Sequence, residues 1–248
     1  TRFQKEKKGK RRKRSTKGLM SKSLPLIFLS CEVFKGIINT NKMPEANSQV
    51  QFLDAGLHAT PKKLQSTVQE QINSIDQPSV IVLGYGLCGN GLHEIHSGIH
   101  TLIIPKMDDC IAMFMGGRKI FLDEFYANPG TYYLTKGWLQ AETHPLAEFT
   151  RYIEKYGEET AYYLMDQQYR HYSKLVFAAH SQEDLDEYRP IATQVAEFCK
   201  RWDMKFEEYL GGTDFIQDLE DTIINPEQVP GSFITINPGE ILDQEMFR

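Results

Sequence analysis

The sequence predicts an α/β protein built on a layered, mostly parallel sheet flanked by helices. Three observations carry that reading. Short, almost wholly apolar runs recur along the chain, as in strands covered on both faces. Amphipathic stretches with apolar residues every three or four positions lie between them, as in surface helices. The composition is globular: 248 residues, 41% hydrophobic and 11% aromatic, enough for a sizeable core. The same figures exclude collagen-like repeats and disorder throughout.

The elements follow in order. Leu26–Cys31 is a buried strand. Val50–His58 is a second strand, leaving at Gly56. Pro61 opens a helix at its first turn, running from Lys62 to about Asp76. Its Leu64, Val68, Ile72 and Ile75 make one apolar face, and Gln77-Pro78 stops it. Ser79–Leu83 and Thr101–Pro105 are further buried strands, β-branched as such positions favour. Residues 118–172 form a helical insertion: a helix at Lys119–Tyr126, then one or two from Leu146 to Arg170, broken near Gly157. Asn128–Trp138 reads as an irregular aromatic loop between them. Lys174–Ala178 is a strand, Leu185–Trp202 a long helix despite Pro190, and Met204–Tyr209 and Phe233–Ile236 are short strands. Gly211–Phe215 is a strand-to-helix turn. No linker divides the body, so residues 24–248 are expected to form a single α/β domain.

Residues 1–23 are set apart as a disordered basic tail. Residues 1–18 carry ten Lys or Arg and one Glu, +9 in a chain of net charge −5, so the rest of the chain is acidic at −14. Such a block repels itself and lacks apolar residues. Thr1 is no initiator and Met20 directly precedes Ser21-Lys22-Ser23, so the tail is read as an extension outside the native frame. Only through residues 1–18 would the protein bind nucleic acid. The apolar run Leu24–Leu29 is interrupted by Pro25 and too short for a signal core. No run approaches the roughly 18 apolar residues of a membrane span. Four cysteines are too few for a secreted disulfide framework. A cytoplasmic protein is expected.

The stretch richest in chemistry is Gly84-Tyr85-Gly86-Leu87-Cys88-Gly89-Asn90-Gly91, directly after a buried strand. In open α/β sheets ligands gather beyond the carboxyl ends of strands. Gly84, Gly86, Gly89, Asn90 and Gly91 are therefore candidate ligand-binding positions, though the pattern is neither the dinucleotide fingerprint nor the phosphate loop. Cys31 ends the first strand, Cys88 follows the third and Cys110 the fourth. On parallel strands all three sulfurs would reach one sheet edge, with His58 beside them. Three thiolates and an imidazole suit zinc or another thiophilic metal. Spacing alone leaves a reactive thiol or small core residues equally open. Cys199, on a helix, is expected in the core.

Asp109, beside Cys110, is the candidate general base, or with Asp108 a helix cap and first-turn carboxylate. Tyr132, Lys136 and Trp138 are candidate pocket walls. Arg118 could hold a carboxylate or phosphate. His93, His96 and His100 form a competing metal set, with His93 and His96 sharing a helix face. Neither a serine nucleophile elbow nor a zincin helix is present.

Three stretches together, Gly84–Gly91, Ile104-Pro105 through Asp109-Cys110-Ile111, and Asn128–Trp138, resemble the domain of unknown function 1638. The resemblance spans roughly residues 24–240. Where that family's pattern often has a histidine before the Asp-Cys pair, this chain has Asp108. The resemblance implies a soluble protein of anaerobic bacteria or methanogens, placed near corrinoid-dependent methyl transfer. It implies a corrinoid protein or methyltransferase as partner, the corrinoid arriving only with that partner. The expectation is thus a zinc-thiolate or reactive-cysteine protein linked to methyl transfer. The alternative is a non-catalytic accessory or metal carrier docking on a methyltransferase or corrinoid protein.

Overall fold

The computed structural model describes residues 24–44 and 47–248; the basic tail lies outside the described residues. The fold is α/β with mostly parallel sheet flanked by helices. The strands divide into two sheets rather than one. The first has the order β2-β1-β3-β4-β8, from β1 (Leu26–Cys31), β2 (Ser48–Leu53), β3 (Val80–Gly84), β4 (Thr101–Pro105) and β8 (Phe233–Ile236). All its pairs are parallel except the β4–β8 edge. The second is the parallel trio β5 (Thr131–Leu134), β6 (Lys174–Ala179) and β7 (Lys205–Leu210).

The apolar run of β1 is buried at every position, as a central strand covered on both faces requires. Chain order dictates where a ligand can sit. From β1 the chain moves one way to β2, then back past β1 to β3 and β4. Right-handed crossovers put those two connections on opposite faces. The crevice between the carboxyl ends of β1 and β3 is therefore left open. On one face lies α1 (Pro61–Asn73), burying Leu64, Val68 and Ile72. On the other lies α8 (Asp214–Ile224), where Glu220 accepts from the Asn39 N–H at 2.8 Å.

Three expectations change. The second strand ends at Leu53, not His58: Asp54 accepts from the Gly56 N–H at 2.7 Å and turns Ala55–Ala59 into 3-10 helix. The stretch 128–138 is not an irregular loop. It holds β5 and the start of α4 (Lys136–Gln140), because its side chains alternate between two buried surfaces. Tyr133 joins Val176 and Ala178 in the core under the first sheet, while Leu134 joins Leu175 and Phe177 in a second core. Segment 118–172 is accordingly helical apart from one strand, with α3 (Arg118–Ala127), α5 (Pro145–Tyr156) and α6 (Glu158–Tyr169), the last two broken at Gly157 as expected. The first-sheet core and the second sheet meet through β6, which is buried on both faces.

The long helix α7 (Gln182–Cys199) begins three residues early, where Ser181 accepts from the Asp184 N–H at 3.1 Å. Its Cys199 is fully buried in the second core, as expected.

Candidate functional site

Cys31, Cys88 and Cys110 line one small cavity, about 20 Å³, beyond the carboxyl ends of β1, β3 and β4. That is room for a single ion or water. His58, Tyr85, Asp54 and Trp138 also line it, with Gly84 and two leucines. It continues outward into a recess of about 210 Å³ lined by His58, Cys88, Gly89, Asp109, Cys110 and Trp138. A neighbouring recess of about 200 Å³ runs from His58 and Asp109 to Tyr132, Tyr133 and Tyr172.

The local chain explains how the sulfurs arrive there. Cys31 is the last residue of β1. Cys88 is carried on a hairpin of left-handed residues, Cys88 at φ 49°, Gly89 at 62° and Asn90 at 69°, a conformation costly for residues with a Cβ. Backbone bonds clamp that hairpin to the loop after β4: Leu87 N–H to Met107 O at 2.9 Å and Cys88 N–H to Asp108 O at 2.8 Å. The two loops touch so closely that a Cβ on Gly86 would lie 2.7 Å from Asp109 Cα. Cys110 begins the short helix α2 (Cys110–Phe114), capped by Asp109.

All four cysteines are free. Burial pushes the Cys31 thiol up to about 11. Burial, then the nearby Asp109 and Cys31, raises Cys88. Burial, Asp109, Cys88 and Cys31 raise Cys110 in the same way. Cys88 thus feels Cys31, and Cys110 feels both of the others. Opposing this, backbone N–H groups of Val33 and Glu32 support Cys31, and those of Gly86 and Cys110 support Cys88. Such bonds favour the thiolate. Burial also lifts Asp109 to about 6, against the lowering bonds from the Ala112 and Ile111 N–H groups. Among the described residues lining the cavity and its recesses, His58 alone can carry a positive charge. Its Nδ1–H bonds Ala55 O, so Nε2 keeps its lone pair free for a ligand. Its ring rests 5.7 Å from that of Trp138. Among the described residues no group of three or more His, Cys, Asp or Glu side chains stands arranged to hold a metal ion. The donors share a cavity without closing into a shell.

The remaining candidates divide. Asp109 takes the capping role, its Oδ1 accepting from the Ile111 and Ala112 N–H groups at 2.8 and 3.3 Å, and it also faces both recesses. Gly84 lines the cavity and Gly89 the recess. Gly86 and Gly91 are needed for packing, Gly91 against Leu64, and Asn90 is exposed. Tyr132 touches the outer recess while packing edge-on at 5.4 Å against both Tyr169 and Tyr172. Trp138 lines all three spaces.

Lys136 points elsewhere: its ammonium is paired with buried Asp184 at 2.8 Å, because α4 and α7 pack together and bury both groups. Arg118 pairs within the chain, its Nε 2.9 Å from Asp108 Oδ2. His93 and His96 lie on turns and an isolated bridge rather than a helix, and His100 is buried away from the cysteines. Sequence reasoning missed Tyr85 and Asp54. Tyr85 stood inside the glycine-rich stretch, but an aromatic there reads as packing.

A family model described as protein of unknown function (DUF1638) matches residues 52–219. No curated protein and no solved structure gives a match.

Proposed function

The chain belongs to the family described as protein of unknown function DUF1638, and we propose that its strand-end cavity is a thiophilic metal centre of the zinc type. Cys31, Cys88 and Cys110 would be the ligands, with His58 Nε2 as the possible fourth. The observation that carries this reading is that three thiols, one ending β1 and two carried by the segments after β3 and β4, line one ion-sized cavity. Desolvation holds the protons on these three neighbouring thiols, and no Lys or Arg lines the cavity to help them ionise. A divalent soft cation removes that penalty, since metal coordination deprotonates thiols outright. A free catalytic thiolate would instead need an electropositive setting.

Zinc, when bound, would supply Lewis acidity that lowers the pKa of a coordinated thiol. The residues supply the rest. Asp109, facing the recess, would accept the proton of an incoming thiol. Trp138 and His58 would wall the recess. The reaction class we propose, inspired by the family resemblance, is methyl transfer to that thiol from a methyl-corrinoid carried by a partner protein, the Co–C bond breaking as the S–C bond forms and the reduced corrinoid staying with that partner. Absence of turnover with metal bound would favour the accessory or metal-carrier role.

Elemental analysis of protein purified without oxygen tests the centre. The reading expects about one thiophilic metal per chain, sharply reduced in Cys88→Ser because a hydroxyl seldom ionises to replace a thiolate. It expects metal to be retained in Cys199→Ser. A folded Cys88→Ser protein with full metal content would remove Cys88 from the ligand set.

A further inference from the structure

The two recesses outside the cysteine cavity are acidic and aromatic. They share His58, Asp109 and Trp138, so Asp109 stands at their junction, half-buried. Its Oδ1 accepts the Ile111 and Ala112 N–H bonds, and among the described residues nothing bonds its Oδ2. It is the only carboxylate in the lining of either recess, and no Lys or Arg lies there to answer it. The cations close by are already paired. Arg118 holds Asp108. Lys174, which acts on Tyr133, lies between Glu124 and Glu207 at 2.9 and 2.7 Å. His58 has its Nδ1 bonded to Ala55 O and offers the lone pair of Nε2. Around the carboxylate stand aromatic side chains: Trp138 in both recesses, and Tyr132, Tyr133 and Tyr172 in the second.

We propose that these recesses bind a small alkylated ammonium cation, its charge at the Asp109 carboxylate and its alkyl groups among Trp138, Tyr132, Tyr133 and Tyr172. A bare metal ion of the hard kind wants several oxygen ligands and finds one carboxylate here. A cation that carries its own apolar surface finds both kinds of partner, since aromatic rings attract ammonium groups and clusters of rings hold quaternary ones. Volumes of about 210 and 200 Å³ fall below those of drug-sized pockets, which limits the ligand to a few carbons. The inference needs no metal, so failure of the metal analysis would leave it standing.

Calorimetric titration of the full chain in neutral buffer tests it. Choline is the probe. The control is the uncharged alcohol in which carbon replaces choline's nitrogen, so that shape and hydroxyl are kept and only charge is lost. Choline should bind saturably and at least about tenfold more tightly than the alcohol. Asp109→Asn, which keeps a capping oxygen, should remove most of that preference. Trp138→Leu should weaken choline by about fivefold or more; should it fail to fold, Asp109→Asn decides alone. Equal affinity for choline and the alcohol, no choline binding by the wild type, or an unchanged preference in Asp109→Asn would overturn the inference.

Discussion

Asp109 shows how a single buried carboxyl links the site to stability. Its folded pKa, about 6 against an ordinary 3.8, means the native state holds this proton more tightly than the unfolded chain. Its favourable contribution is therefore complete below about pH 3.8 and is lost as pH rises through about 6. Asp109→Asn keeps a capping oxygen and removes the charge. In metal-free protein the variant should exceed the wild type in stability above pH 6, by up to about 3 kcal/mol, and match it below pH 4. Urea unfolding across that range is the check; a constant difference would contradict the buried-carboxyl account. Lys136 carries the opposite lesson. Removing its charge as Lys136→Met leaves Asp184, whose side chain is 9% exposed, with His180 at 3.6 Å as its remaining ionisable neighbour, and should cost about 3 kcal/mol. Metal content should not change, because Lys136 does not line the cavity.

At the scale of elements, the site depends on two loops pressed together after β3 and β4. Gly86→Ala would place a Cβ 2.7 Å from Asp109 Cα, against backbone that cannot swing away. A loss of about 1–3 kcal/mol is expected, accompanied by weaker metal retention as Cys88 and Cys110 part. Thermal unfolding together with metal analysis would show both; an unperturbed variant would mean the loops are not clamped there. Most elements were legible because their side chains follow one period. The apolar runs of β1, β3 and β4 form as read, and so does the fourfold spacing of Leu64, Val68 and Ile72 in α1, which ends at Asn73 rather than near Asp76 and leaves Ile75 beyond it. Elements failed where a local signal was ambiguous. Asp54 ends β2 through a side-chain bond that no hydropathy pattern records. β5 was hidden because Tyr132 and Tyr133 look alike in sequence while facing different surroundings.

For the whole molecule, the division into two sheets was the least legible feature. Strand partners are chosen over long sequence separations, and nothing local distinguishes β5-β6-β7 from an extension of the first sheet. The consequence is functional: the second sheet brings Trp138 and Tyr133 over the strand ends of the first, so the cysteine cavity gains a roof and recesses. The grouping of Cys31, Cys88 and Cys110 was legible because parallel strands place their carboxyl ends on one edge. Tyr85 was not, since only the fold shows that its hydroxyl lacks a partner. Among the described residues no helix is long and apolar enough to cross a membrane, and the partners proposed are proteins.

The measurement that bears most directly on the central claim is X-ray absorption at the edge of the bound metal in anaerobically purified protein. The account predicts three sulfur neighbours at about 2.3 Å and one nitrogen or oxygen at about 2.0–2.2 Å, with one sulfur lost in Cys88→Ser. A metal surrounded only by nitrogen and oxygen, or folded protein that binds none, would contradict it.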